Sequence, residues 1–190
     1  MAIKRYNHDK LVWIDLEMTG LDHQNDVILE IASIITDGNL NIIDTGPNLV
    51  VHQPEEVLQK MNAWCIENHT KTGLYQASLE SKITLEEAEQ QTLTFLQEHC
   101  DKSTAPLCGN TVWFDKLFLQ KDMPLIYNFL HYRIVDVTSI KVMLNLWTDQ
   151  DTVFKKNNTH RALDDIKESI EELKFYKENF ISIPDKFLHS

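Results

Sequence analysis

The sequence contains little glycine, proline or cysteine, and it has no long apolar segment. With five glycines and five prolines in 190 residues it has no linker-like stretch, so we predict one domain over residues 1–190 with its core at about 10–180. No run approaches the ~18 apolar residues that cross a bilayer, and the first residues lack the apolar part of a secretory signal. Three cysteines without metal-ligand spacing indicate free thiols. We therefore expect a cytoplasmic protein without a membrane partner.

Positive charge is also scarce. Lysine and arginine together number 18 against 29 acidic residues, which gives a formal net charge of −11 at pH 7. A protein that grips a long duplex or strand through a broad basic face is therefore disfavoured, because such binding depends on neutralising many phosphates. The charge still permits a nuclease that acts on short strands and offsets its carboxylates with bound cations.

Hydrophobic patterning predicts an α/β domain. The predicted strands cover residues 10–17, 27–36, 41–52, 106–109 and 132–137. The predicted helices follow Pro54 and include residues 84–100, 115–120, a segment ending at residue 146, and residues from about 161 onward. Gly46 and Pro47 interrupt the third strand, which indicates an edge or a bulge. Three antiparallel strands followed by βα units indicate a mixed five-stranded sheet with helices on both faces.

Two carboxylates interrupt the first apolar strand. Asp15 and Glu17 are two residues apart, so on a strand both side chains leave the same face. One interpretation is a partly exposed strand end with two solvated acids. The other is a cation site, because crowded carboxylates need a shared proton or a bound cation, and oxygen ligands suit Mg²⁺ or Mn²⁺. The apolar residues directly before the pair favour the metal site.

His160 lies just before an amphipathic helix that carries Asp164 and Asp165 in its first turn. Acids at a helix N-terminus can simply be favoured by the helix dipole. If His160 is itself helical, it shares a face with Asp164, four residues later. If it lies in the preceding loop, Asp165 can be the inward acid. Spacing alone leaves both arrangements open, and it leaves structural and catalytic roles equally open.

Asp115 is a further acid in a suggestive position. The short strand that ends at Gly109 leads through a turn to Asp115, early on the next helix. Active sites of open α/β sheets gather at such strand ends. Taken alone, Asp115 is an ordinary first-turn helix residue, and it becomes important only as a further metal ligand.

Together these motifs resemble the DEDDh 3′-to-5′ exonucleases, which have an RNase H-like fold. That family has Asp-x-Glu on its first strand, an Asp after its fourth strand, and His-x(4)-Asp at its last helix. The segments WIDLEMTGLD, VILEIASIITD, GPNLVVHQ, HYRIVDVTSIK and HRALDDIKESIEEL are similar to the oligoribonuclease branch of the family. The resemblance covers about residues 11–180 and implies an RNase H-like mixed sheet.

The resemblance implies a two-metal site with His160 as the general base. The acids that it makes ligands of two divalent cations, Mg²⁺ or Mn²⁺, are Asp15, Glu17, Asp115 and Asp165. Two such cations stabilise the attacking and leaving oxygens of a phosphoryl displacement. The implied activity is 3′-to-5′ hydrolysis of short oligoribonucleotides, especially dinucleotides, to 5′-nucleoside monophosphates.

The resemblance also implies substrate contacts. Leu21 and Trp64 would pack on the bases of a single-stranded RNA of two to five nucleotides, since every base has a π-face. A core tryptophan in a short helix is the alternative for Trp64. The family hydroxyls that help to bind the terminal phosphate correspond to Thr111, Thr138 and Ser139.

A homodimer is implied by the segment that begins at residue 131. Tyr132 and Arg133 resemble residues that reach across the dimer interface and cap the substrate of the other subunit. The planar fork of an arginine suits a terminal phosphate because it can donate two parallel hydrogen bonds. Such a cap would restrict the enzyme to short strands. The sequence departs from the family pattern around the third acid, at Trp113, Phe114, Lys116 and Leu117.

Other charged residues are interpreted structurally. Glu30 is predicted to be a buried acid that needs a hydrogen-bond partner, and Asp136 is predicted to cap the helix that follows it. The residues predicted to form a solvated helix face are Lys167, Glu168, Glu171, Glu172 and Lys174.

Two rival functions have distinct signatures. A DEDDh exonuclease that trims or proofreads DNA would offer a basic track for a longer strand, which this acidic chain does not suggest. An inactive RNase H-like module that only binds nucleotides or a protein would lack at least one of the five catalytic residues. All five are present, so the exoribonuclease is the favoured function.

Overall fold

Five strands form one mixed sheet. They are β1 (Lys10–Met18), β2 (Ile28–Asp37), β3 (Ile42–Val50), β4 (Pro106–Gly109) and β5 (His131–Asp136). Their order is β3-β2-β1-β4-β5, with antiparallel pairing among the first three and parallel pairing of β4 with β1 and β5. The predicted mixed five-stranded α/β sheet is therefore confirmed. The computed structural model describes residues 9–148, 154–155, 160–182 and 184.

The helices flank this sheet on both faces. Within the described ranges they are α1 (Glu55–Leu58), α2 (Ala63–Lys71), α3 (Leu74–Glu80), α4 (Leu85–His99), α5 (Trp113–Asp122), α6 (Pro124–Phe129), α7 (Val137–Trp147) and α8 (Ala162–Phe180). No helix in these ranges combines the length and the hydropathy that a membrane crossing requires.

The central strand β1 is buried on both faces. Ile14 and Leu16 belong to the core that includes residues of α4, α5 and α6, whereas Trp13 belongs to the core that includes α7 and α8. Side chains alternate between the two faces of a strand. The acids at positions 15 and 17 therefore leave the sheet on the same side as Trp13, towards α8.

The edge strand β3 carries the predicted interruption. Its pairing with β2 shifts register between Ala32 and Ile34, opposite the part of β3 that contains Gly46. A Cβ atom at Gly46 would overlap the Ser33 hydroxyl and the Phe95 ring, so only glycine fits there. Because β3 is the outermost strand, this irregularity leaves the central strands and their acids undisturbed.

Helix α4 begins with the capping box that its sequence predicts. The hydroxyl of Thr84 accepts from the backbone N–H of Glu87 at 3.1 Å, and the Glu87 carboxylate accepts from the Thr84 N–H at 2.9 Å. Each bond satisfies a donor that a helix start otherwise leaves to solvent. This start fixes the helix that covers β2 and β3.

The capping box gives a stability prediction. Replacing Thr84 by Ala should lower the free energy of unfolding by about 1 kcal/mol, because the side-chain acceptor for the Glu87 N–H is lost. Urea unfolding measures this change, and Thr84→Ser should retain most of the stability. Thr94→Ala is a matched control, since the Thr94 hydroxyl bonds the backbone carbonyl and the side-chain amide of Gln90 on the same exposed helix face and caps no helix end. Equal losses for the two alanine variants would contradict the capping role.

Candidate active site

The acids of β1 meet the first turn of α8. Carboxylate oxygens of Asp15, Glu17 and Asp165 all lie within 4.8 Å of one another, and each residue is half-buried. His160 precedes the helix, which starts at Ala162. His160 therefore lies in the loop before the helix and not in the helix itself. Asp165 is the acid that lies close to Asp15 and Glu17. The neighbouring Asp164 instead points outward, with a carboxylate oxygen 3.6 Å from the amine of Lys167.

Asp115 joins this site from the other face of the sheet. It lies in the first turn of α5, and its side chain is buried. Its Oδ1 accepts a hydrogen bond from the backbone N–H of Leu16 at 3.1 Å, and Leu16 separates Asp15 from Glu17. The fourth acid is therefore held by the same strand segment that carries the first two. Its oxygens do not belong to the group of three defined by the 4.8 Å limit.

The crowding of these acids changes their protonation. Burial, followed by the charges of Asp165, Glu30 and Asp115, raises the pKa of Glu17 from its ordinary value of 4.5 to about 8. Burial is also the main cause that raises the pKa of Asp115 to about 7, against the opposing effect of the Leu16 N–H. These carboxylates can remain so close together only if some of them are protonated or if they bind cations. An all-oxygen donor set of this kind fits Mg²⁺ or Mn²⁺.

His160 lies in the loop that leads into α8, and its ring contacts Trp64. The ring centroids of the two residues are 5.7 Å apart with an interplanar angle of 83°, an edge-on contact. The backbone φ of His160 is 51°, in the left-handed region that non-glycine residues seldom adopt. This backbone conformation just before α8 places the imidazole against the exposed Trp64 of α2.

Trp64 is not a core residue. It is 60% exposed near the start of α2, which excludes the alternative of a buried structural tryptophan. The opposite end of α2 is tied to β1, because His69 is buried and its Nε2 donates to the Met18 carbonyl at 2.9 Å. Leu21 is 75% exposed in the loop that follows β1. Two large apolar side chains therefore stand in solvent on segments adjoining the acid group.

The loop that carries Leu21 is organised around one carboxylate. Asp26 accepts from the Thr19 hydroxyl and from the Asp22 backbone N–H, both at 2.8 Å. A Cβ at Gly20 would collide with this carboxylate, so glycine is required there. The fold of this loop therefore fixes the exposed position of Leu21.

Two of the predicted phosphate-binding hydroxyls are brought together. The hydroxyl oxygens of Thr111 and Thr138 are 3.1 Å apart, and the Thr111 N–H donates to the Asp136 carboxylate at 3.0 Å. Asp136 also accepts from the Thr138 N–H at 2.9 Å, which confirms its predicted role as the cap of α7. Ser139 follows on α7 with an exposed side chain. These contacts join the end of β4 to the end of β5.

Tyr132 and Arg133 lie away from these hydroxyls, at the start of the edge strand β5. Tyr132 is 72% exposed, and the guanidinium carbon of Arg133 lies 5.2 Å from its ring centroid. The carbonyl of Tyr132 accepts from the amine of Lys116 at 2.6 Å. Lys116, one of the departures from the family pattern, therefore links the helix of Asp115 to this edge.

One sequence-based prediction is wrong. Glu172 does not belong to a solvated face, because its side chain is fully buried and accepts from Asn110 Nδ2 and the Tyr176 hydroxyl, both at 2.8 Å. The signal was present in the spacing, since residues 165, 169, 172 and 176 share one face of a helix. The apolar residues that predict the buried side of α8 lie on the neighbouring face.

Glu30 has the partner that its burial requires. Its carboxylate accepts from the Arg161 guanidinium, with an Nη2–Oε1 distance of 2.8 Å. No local pattern could reveal a partner so far along the chain. The prediction of a structural buried acid is consistent with this ion pair.

This combination of sheet, helices and acids defines a class of nuclease, and the chain belongs to the exonuclease family. The RNase_T exonuclease family model matches residues 12–173, from β1 into α8. More particularly, the chain belongs among the oligoribonucleases. It is 53% identical over 175 residues to the oligoribonuclease of Francisella tularensis strain WY96-3418, covering 92% of this chain and 98% of that one. It is also 53% identical over 179 residues to a probable oligoribonuclease of Dictyostelium discoideum, covering 90% and 94%.

Solved structures of exonuclease I share the fold at low sequence identity. A metal-free complex of the Escherichia coli enzyme with single-stranded DNA has a TM-score of 0.67 and 15% identity, covering 91% of this chain and 40% of that one. The enzyme from Methylocaldum szegediense has a TM-score of 0.65 and 18% identity, covering 90% and 41%. The chain thus spans about two fifths of the length of these chains. The likeness confirms the predicted RNase H-like sheet.

The raised pKa of Glu17 gives a pH prediction. Between pH 4.5 and about 8 the folded protein keeps a proton that the unfolded chain releases, so folding stability falls as pH rises through this window. Cations bind the deprotonated acids and displace that proton, so their stabilising effect should grow towards pH 8. Scanning fluorimetry of metal-free protein with and without Mn²⁺ measures both trends.

Glu17→Gln is the comparison variant for this experiment. It should flatten the fall of Tm with pH and weaken the gain from Mn²⁺, because its amide neither titrates nor carries charge. A gain in Tm that is the same at pH 5.5 and pH 8, or unchanged in Glu17→Gln, would contradict the assignment of these acids as a cation site.

Proposed function

We propose that this 3′-to-5′ exoribonuclease degrades single-stranded RNA of two to five nucleotides, dinucleotides above all, to 5′-nucleoside monophosphates. The observation that carries the proposal is the convergence of Asp15, Glu17 and Asp165, with Asp115 bonded to the same strand and His160 in the loop that leads into α8. The extent of the similarity to the oligoribonucleases supports the choice of short RNA as substrate.

The acids are proposed to hold two divalent cations, Mg²⁺ or Mn²⁺. Asp15, Glu17, Asp115 and Asp165 are the ligand residues in this proposal. When bound, the cations supply positive charge that stabilises the attacking and leaving oxygens of the displacement. His160 accepts the proton of the attacking water, a task that suits an imidazole because it exchanges protons near neutral pH.

The exposed side chains around the acids are proposed to hold the RNA. Leu21 and Trp64 offer apolar and aromatic surfaces to the bases, and base–aromatic stacking tolerates any base. The hydroxyls of Thr111, Thr138 and Ser139 are proposed to meet the terminal phosphate. Contacts of this kind favour short strands, since the net charge of −11 gives little attraction to a long phosphate backbone.

A homodimer is proposed to complete the site, with Tyr132 and Arg133 acting on the substrate of the partner subunit. The support is an apolar surface on α7, next to the edge strand β5. Leu146 and Trp147 are 73% and 70% exposed, and Met143 lies on the same helical face. A contiguous exposed apolar patch of this kind marks an interaction surface, and a second copy would bring its own Tyr132 and Arg133 to it.

We also propose that the chain is a single domain in the cytoplasm. The family match spans most of the chain. Cys65, Cys100 and Cys108 are free thiols in the structure, and Cys108 is fully buried in the sheet. Thiols kept free in this way are typical of a reducing compartment.

Substrate preference tests the proposed function. With Mn²⁺ present, a diribonucleotide should be hydrolysed faster than a DNA strand of about 20 nucleotides, because the latter depends on a basic track. A time course of products by chromatography measures the rates and should show only 5′-monophosphates from the RNA. Faster hydrolysis of the DNA strand would overturn the substrate assignment and favour a DNA exonuclease.

Three variants accompany that assay. His160→Ala should lower the rate roughly 100-fold or more, as expected for a lost general base, and Asp165→Asn should abolish the Mn²⁺-dependent rate. Asp164→Asn should leave the rate unchanged, because the structure turns Asp164 away from the acid group. Full activity of the first two variants would mean that the site is misplaced.

The dimer proposal makes a separate prediction. Trp147→Asp should convert a dimer into a monomer of 22.2 kDa and remove most diribonucleotide turnover, because a buried charge opposes association and the capping residues act in trans. Analytical ultracentrifugation and the activity assay measure the two effects.

Ile43→Asp is the matched control for the dimer, since Ile43 is an exposed apolar residue on β3 at the opposite edge of the sheet. It should leave both the mass and the turnover unchanged. A wild-type monomer with full turnover would contradict the proposal.

A further inference from the structure

Glu30 and Glu17 are directly opposite each other on neighbouring strands. The antiparallel register of β1 and β2 pairs the two residues, so their side chains leave the same face of the sheet. Like charges at opposed positions are destabilising. Glu30 is completely buried, and its position therefore requires a cation or a strong set of donors.

Arg161 supplies that cation. Its Nη2 lies 2.8 Å from Glu30 Oε1 and its Nε lies 3.0 Å from Glu30 Oε2, which is the bidentate geometry of a guanidinium and a carboxylate. The backbone N–H of Ala162 also donates to Glu30 Oε2 at 3.4 Å. The Arg161 position at the helix N-terminus has no side-chain cap of its own. The carboxylate from β2 therefore takes the place of a local cap for α8.

The same residue is the start of the hydrogen-bond ladder of α8. The carbonyl oxygen of Arg161 accepts from the N–H groups of Asp164 and Asp165, each at 3.0 Å. The side chain of Arg161 is thus anchored to the sheet, while its backbone holds the residue that joins the acid group. One peptide earlier lies His160, whose left-handed φ of 51° is compatible with only a narrow range of backbone positions.

We propose that the Glu30–Arg161 pair is a positioning device that places His160 and Asp165 against the acids of β1. This inference rests on the proposed function, since it assigns a purpose to the alignment of the proposed base and metal ligand. The apolar stripe of α8 fixes how the helix packs on the sheet, through Ile166 and Ile170. The ion pair fixes the first turn of α8 and residues 160 and 161 before it, which lie outside that stripe.

The alternative is that the pair only stabilises the fold, and paired substitutions separate the two roles. Arg161→Met leaves a buried carboxylate without its cation, so it should lower Tm by about 5 °C or more and also lower kcat on a diribonucleotide. In Glu30→Met/Arg161→Met both charges are gone, and an apolar pair of similar volume commonly restores stability. Tm should therefore recover in the double variant.

The expected result is that kcat does not recover with Tm. We expect kcat of the double variant to stay roughly 10- to 100-fold below wild type, the range seen when residues that orient metal ligands are changed. KM should change little, because the proposed base-binding surfaces at Leu21 and Trp64 are untouched. Recovery of kcat together with Tm would show a purely structural pair and overturn the proposal.

Two further variants keep the test decisive. Arg161→Lys keeps the charge but loses the planar fork, so it should fold and still show a reduced kcat; a wild-type kcat would overturn the proposal. Glu171→Met/Lys174→Met removes an ion pair of 2.7 Å from the outer face of the same helix and should change neither Tm nor kcat. Wild type and Asp165→Asn are assayed in parallel, because a wild type without Mn²⁺-dependent turnover would reject the proposed function itself.

Discussion

Mutual repulsion of half-buried carboxylates is the constraint around which this structure is arranged. Asp15, Glu17 and Asp165 place their oxygens within 4.8 Å of one another, and Glu30 stands directly across from Glu17. A fold that served stability alone would avoid this arrangement, because each buried charge costs free energy unless it is compensated. The sheet keeps these acids together, and one compensating cation, Arg161, is part of the chain itself. The remaining excess of negative charge is what a bound divalent cation would offset.

The order of the strands makes that concentration of charge possible. β1 is the central strand, so the antiparallel neighbour β2 contributes Glu30 on one side, and the turn after the parallel neighbour β4 leads to Asp115 on the other. The alternation of side chains on β1 then selects the face. Packing residues at 14 and 16 point to one core, and the acids point towards α8. The face of β1 that carries Ile14 and Leu16 therefore packs in the core, and the opposite face carries the acids of the site.

Local patterns predicted much of this arrangement, and long-range contacts account for what they missed. The two-residue spacing of Asp15 and Glu17 fixes a common face, and the predicted helix start near residue 161 places both Asp164 and Asp165 in the first turn of α8. Spacing could not decide between Asp164 and Asp165, because that choice depends on where the helix begins relative to β1. Partners separated by most of the chain, such as Glu30 and Arg161, leave no periodic signal. For Glu172, helical spacing indicates the buried face that it shares with Asp165, but its partner Asn110 lies in the loop after β4, far along the chain.

The contribution of α8 to the site has a consequence for folding. Contacts between β1 and β2 join segments that are close in sequence, whereas the contacts of α8 with β1 and β2 span most of the chain. A chain on which α8 has not yet docked carries Glu17 and Glu30 side by side without the guanidinium of Arg161, and it lacks Asp165 and His160 at the sheet. The docking that relieves this local strain also completes the site. The complete acid group therefore exists only in a chain on which α8 has docked against β1 and β2.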